Sequence, residues 1–126
     1  MSSNEEHPAI ADRWFKSIES GDIEGVRSIY SADMRIWHST GGVEQTADQN
    51  LATLGRVVAN IKSLRYAGVR REPTHDEFVQ QHVLRGRLKS GREFTLPACS
   101  VVKIEKGMVV RLDEYRDSAK TAELRE

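Results

Sequence analysis

Apolar side chains recur every three or four positions near the start of the chain: Ile10, Trp14, Phe15 and Ile18 fall on one side of a helix that Pro8 can open and Gly21 can stop. Asp22 is placed to cap a second, shorter helix, whose buried stripe would be Val26, Ile29 and Tyr30. The period then changes to two. In "MRIWHS" Met34, Ile36 and His38 share one face of a strand, and Arg35 and Trp37 share the other. Gly41-Gly42 breaks this run, and Thr46-Ala47-Asp48-Gln49 is a capping box that opens a third helix carrying Leu51, Leu54, Val58 and Ile61 along one side. From Lys62 onward the pattern is strand-like over 62–72, 77–88, 92–105 and 108–116, with turns at Pro73-Thr74-His75-Asp76, Lys89-Ser90-Gly91-Arg92 and Lys106-Gly107.

Helix, helix, strand, helix and then a meander of four long strands is an α+β arrangement, in which one curved sheet packs on a layer of three helices. Strands of eleven or more residues are long enough to twist and curl. The sheet should therefore leave a cone-shaped hollow that three helices do not fill, and a ligand would sit there. The single domain is expected over residues 8–119, between a flexible tail at 1–7 and a C-terminal tail at 120–126.

Alternation also phases the strands. Phe78 and Leu84 bring Gln80 and His82 inward and leave Arg85 and Arg87 outside. Phe94, Leu96, Ala98, Ser100, Val102 and Ile104 form the inward row of the next strand, and Met108, Val110, Leu112 and Glu114 that of the last. With His38 included, two histidines, a glutamine, a serine and a glutamate converge on the hollow. On the outer face Val79, Val83, Val101 and Trp37 alternate with Gln81, Arg85 and Asp113, a mixture that fits a homodimer interface through the convex side of the sheet and also fits a tolerated exposed surface on a monomer.

Composition narrows the partners. Nineteen basic residues balance nineteen acidic ones among 126, with no long run of one sign, which argues against nucleic acid or an anionic membrane surface as partner and leaves a small molecule or a protein. No apolar run approaches a membrane span or a signal-peptide core, and the lone Cys99 has no internal partner, so a soluble, cytoplasmic protein is expected. Cys99 phases outward with no cation beside it and is a poor nucleophile. His7 and His75, in the tail and a turn, read as solvent residues.

"RWFKSIESGD", "SADMRIWH", "QQHVLRGRLKSGREFTLPACSVVKI" and "GMVVRLDEYRD" resemble the SnoaL-like branch of the superfamily that includes nuclear transport factor 2, ketosteroid isomerase, polyketide cyclases and limonene epoxide hydrolase. The resemblance runs from about Ala9 to Ala119 and implies the cone fold. It does not fix an activity, because the scaffold hosts enzymes and binding modules alike. By this resemblance Trp14 stands where ketosteroid isomerases carry a tyrosine donor, His38 at their aspartate base and Ser100 at their second acid. Against limonene epoxide hydrolase, Glu114 matches one catalytic carboxylate, His82 the other, Gln80 the arginine between them and His38 a water-holding asparagine. Neither catalytic set is reproduced intact.

The chemistry expected is cofactor-free proton transfer or water addition (isomerase, hydrolase, cyclase or dehydratase type) on a small apolar molecule bearing a carbonyl, epoxide or hydroxyl. Glu114, its pKa raised by apolar neighbours, and His82 would be the acid-base pair, with His38 as a second base or donor. Gln80 and Ser100 would orient the substrate, and Trp14, Ile36, Leu96, Ala98 and Leu112 would form the apolar wall. Two histidines and a glutamate also match the donor list of a metal triad, but without the close spacing such sites use, so no metal is expected. The rival reading is a dimeric module that binds the same kind of ligand without converting it.

Overall fold

The computed structural model describes residues 3–117, 119 and 120. Three helices, α1 (Ser3–Glu19), α2 (Ile23–Arg27) and α3 (Ala47–Ala59), pack on six strands: β1 (Tyr30–His38), β2 (Glu44–Thr46), β3 (Ile61–Pro73), β4 (Glu77–Leu88), β5 (Glu93–Glu105) and β6 (Met108–Arg116). The strands form one open sheet in the order β2-β1-β6-β5-β4-β3, in which β1 and β6 run parallel and all other neighbours antiparallel. This is the α+β cone that the hydrophobic periods imply.

The helical stripe behaves as its spacing requires, since Ile10, Trp14, Phe15 and Ile18 are all buried. Gly21 turns the chain at φ 73°, a left-handed value that glycine adopts without a Cβ clash, and Asp22 caps α2 by accepting from the Gly25 N–H at 2.9 Å. α1 begins at Ser3, however, not at Pro8, and His7 is 1 % exposed rather than solvated, packed 6.4 Å from the Phe78 ring. Its place was readable in hindsight: His7, Ala11, Trp14 and Ile18 are spaced by four, three and four, so His7 extends the buried stripe by one turn. The polar company of "MSSNEEH" concealed it.

Tyr30 opens β1 instead of closing α2, because it pairs with Val109 of β6 and is drawn into the sheet. Thr46 and Gln49 form the reciprocal capping box, with N–H to side-chain oxygen distances of 3.2 and 2.9 Å. Strand β2, too short to show alternation, pairs with β1 through Arg35–Thr46 and Trp37–Glu44. A bulge corrects the phase of the last strand: Lys103 faces Arg111, but Ile104 faces Val109, leaving Val110 as the extra residue. Val109 is therefore fully buried and Met108 and Val110 only partly, whereas Leu112 and Glu114 beyond the bulge keep the inward phase.

Inner-face residues of β1, β6 and β5 (Met34, Ile36, Val102, Val109) meet α1 in the main core, while Leu84, Leu88, Phe94 and Leu96 form a smaller cluster toward the other end of the sheet. Gly86 makes room for that cluster. It lies opposite Phe94, and a Cβ there would run into the Ser63 carbonyl oxygen and stand 2.7 Å from Phe94 Cζ. Gly86→Ala should therefore cost about 1–3 kcal/mol in urea unfolding. Gly55→Ala, in α3 where a Cβ meets nothing within 4 Å, should raise stability by about 0.5–1 kcal/mol. Shifts of the same sign in both variants would contradict this packing.

Candidate active site

Strand register sets the inward polar residues side by side. Gln80 pairs with Ser100, Ser100 with Glu114, and Glu114 with His38, so four strands contribute one polar row across the inner face. In the next row His82 pairs with Ala98 and Ala98 with Arg116. Above these rows a cavity of about 190 Å³ opens under α3. His38, Ser100, Glu114 and Arg116 line it, together with Trp14, Tyr30 and Tyr66 and an apolar wall that includes Leu54, Val57, Ile61, Leu64 and Leu112.

Glu114 is the electrostatic centre. Its carboxylate is 13 % exposed, with Oε1 3.2 Å from His38 Nε2 and 3.4 Å from Arg116 Nε. Burial by itself would raise its pKa, but the His38 hydrogen bond first, then the charge of Arg116 and smaller electrostatic contributions from the two imidazoles, more than offset burial and hold the carboxyl at about 2. The expectation of a raised pKa is thus overturned. The reason is the His38 hydrogen bond and, after it, the charge of Arg116, which shares the face of Leu112 and Glu114. An ionised carboxylate only accepts hydrogen bonds, so His38 donates from Nε2 and keeps the lone pair on Nδ1.

His82 is differently employed. Arg71 donates from Nη1 to Asp12 at 3.1 Å and from Nε to Gln80 Oε1 at 2.7 Å. With its oxygen so engaged, Gln80 turns its amide nitrogen to His82 Nδ1 at 3.0 Å, which places the imidazole proton on Nε2. Burial lowers the His82 pKa and Arg71 lowers it further against the pull of Glu114, so the ring is neutral. It lies 4.7 Å from the Tyr66 ring and 5.8 Å from Phe15, 3 % exposed.

His82 and Gln80 accordingly belong to a buried relay beside the cavity rather than to its wall. Ile36, Leu96 and Ala98 also face inward without reaching the wall, whereas His38, Glu114, Ser100, Trp14 and Leu112 do reach it. Tyr66, Tyr30 and Arg116 went unforeseen at the site. The alternation of 62–72 is too weak to phase Tyr66, and the spacing of Tyr30 from Val26 and Ile29 reads as a helical stripe. The Tyr30 hydroxyl donates to Asn50 Oδ1 at 2.8 Å; burial first, and then the Glu114 charge, raises the pKa of both phenols, which stay protonated donors. Among the described residues no group of three or more His, Cys, Asp or Glu is arranged to hold a metal ion, and no helix is long and apolar enough to cross a membrane.

A curved sheet closed by helices over a pocket with a His–Glu pair defines a cone-fold pocket protein. The SnoaL-like domain family matches residues 11–112, and the chain belongs to that family. No curated protein matches it in sequence. Among solved structures it is similar to an NTF2-like protein of unknown function from Burkholderia pseudomallei (21 % identity, 94 % of this chain and 96 % of that one, TM-score 0.80). It is also similar to a candidate polyketide cyclase from Xanthomonas campestris (12 % identity, 98 % and 99 %, TM-score 0.84) and to a limonene-epoxide-hydrolase-like enzyme from Mycobacterium tuberculosis (11 %, 94 % and 88 %, TM-score 0.77). At these identities the likeness is one of fold.

A carboxyl at about 2 in the folded chain and at its ordinary 4.5 when unfolded adds stability above pH 4.5, all of which is lost as pH falls through about 2. The contribution is on the order of 3 kcal/mol. Glu114→Gln should lower stability at pH 7 and flatten its decline between pH 4.5 and 2. Urea midpoints at several pH values check this, and parallel declines for parent and variant would contradict it.

Proposed function

We propose that the chain is a cofactor-free acid-base catalyst for a small, largely apolar molecule carrying a carbonyl, epoxide or hydroxyl. The observation that carries this reading is the 3.2 Å contact between His38 Nε2 and Glu114 Oε1 at the wall of a largely apolar cavity. His38 Nδ1 takes a proton from substrate or from a water, while Glu114 fixes the tautomer and stabilises the imidazolium that forms. Arg116 keeps Glu114 ionised and therefore unable to compete as an acid. Ser100, whose buried hydroxyl has no hydrogen-bond partner among the described residues, and Tyr66 offer donors to a substrate oxygen. Cyclase and epoxide-hydrolase names among the structural neighbours support this class of chemistry without selecting a reaction.

A binding module without turnover is the second reading, favoured by the neutralisation of Glu114 by Arg116 within the protein itself. Mass spectrometry separates the two. Apolar ketones incubated in D₂O should gain deuterium at the α-carbon, or epoxides in ¹⁸O-water should yield labelled diols. His38→Gln should slow whichever reaction occurs by about 10²–10⁴-fold and leave the melting temperature within a few degrees. Binding with no label incorporated, or label gained at an unchanged rate in the variant, would reject catalysis by His38.

Dimerisation through the convex face belongs to the same proposal. Trp37 packs edge to face on Tyr115 at 5.3 Å, Tyr115 is 50 % exposed, and Val79, Val83 and Val101 are only half-buried. Sedimentation should give a two-chain mass for the parent and a single-chain mass for Tyr115→Lys. A monomeric parent would remove the interface.

A further inference from the structure

We propose that Arg65 and Arg85, with the Ser63 hydroxyl, form a binding site for a phosphate group on the outer face of the sheet. Register places Arg65 of β3 directly opposite Arg85 of β4, and Ser63 opposite Arg87 in the next row. Both Arg65 and Arg85 are exposed, and neither side chain has a hydrogen bond or ion pair with another described residue. Arg87 is already satisfied, by Glu93 at 2.7 Å and the Gly91 carbonyl at 3.3 Å. Glu93 is thereby occupied and does not neutralise the other two. Ser63, Arg65, Arg85, Arg87 and Glu93 surround a depression of about 370 Å³ whose floor is the backbone at Leu64 and Gly86, where β3 bulges between Ile61 and Ser63.

Like charges directly opposite on neighbouring strands repel, so the pair costs stability unless an anion bridges it. Two guanidiniums and a hydroxyl around a concave floor match the oxygens of a tetrahedral dianion, which can accept from each guanidinium in bidentate fashion. Charge on the edge strand β3 alone would discourage edge-to-edge pairing, but that purpose gives no reason for a second arginine on β4, an interior strand. The site lies on the opposite face of the sheet from the cavity and is independent of the chemistry there.

The test follows the Arg Nε–Hε signals by NMR during titration with inorganic phosphate and with phenyl phosphate, in about 0.15 M chloride to screen diffuse electrostatic attraction. Arg65 and Arg85 should shift saturably with at least one of the two, and Arg65→Gln or Arg85→Gln should weaken binding about tenfold, while Lys106→Gln should leave it unchanged. Saturation by both anions identifies the phosphate group itself as the ligand; saturation by phenyl phosphate alone identifies a phosphate ester. In phosphate-free buffer each arginine variant should melt at or above the parent temperature, because the repulsion is relieved. Absence of saturation, equal affinity in all three variants, or arginine variants that melt well below the parent would each overturn the proposal.

Discussion

A carboxylate enclosed by protein must be matched by positive charge and donors, or it takes up a proton and ceases to be a carboxylate. Glu114 is matched twice, by Arg116 on its own strand and by His38 on the neighbouring one. Much else at the site follows from that arrangement. The carboxylate orders the His38 tautomer, biases the neighbouring phenols to remain protonated, and brings its charge to bear on His82 from across the sheet. It also transfers the capacity for proton abstraction from the carboxyl to the imidazole, since a group held at about 2 is a weak base at neutral pH.

The two histidines show how different outcomes arise from the same residue type on the same face. His38 sits at the end of β1 against an anion and lines the cavity, while His82 is held in mid-strand by an amide that is itself held by Arg71. The Asp12–Arg71–Gln80–His82 chain links α1 to β3 and β4, running from exposed Asp12 to buried His82, and fixes the orientation of its members, because each donor uses up the acceptor next to it. His82 is thereby a rigid neutral element behind Phe15 and Tyr66. The groups that reach the cavity wall include His38, Ser100, Glu114 and Arg116 together with the phenols.

On the convex face the same pleat sorts residues into two regions. Trp37, Val101 and Val79 lie in one register row, crossed by Asp113, and Tyr115, Cys99 and Gln81 occupy the next. Farther along β4 the outward positions become Arg85 and Arg87. An apolar area suited to a second copy and a basic area suited to an anion can therefore coexist on one sheet without overlapping.

Hydrophobic period alone determined the number and order of the helices and long strands, though not their ends, and the inward phase of β4 and β5, because a face that packs on a core must be apolar at a fixed spacing whatever its neighbours are. The same argument found His38, Ser100 and Glu114 as inward polar exceptions. It could not phase β6 before the bulge, since one extra residue at Val110 reverses the alternation and leaves no mark in the composition. Nor could it give the protonation of Glu114, the occupation of His82 by Gln80, or the pairing of Arg65 with Arg85. Those depend on which strand lies beside which and in what register, and electrostatic energy is set by distances between groups far apart in the chain, which only the folded sheet supplies.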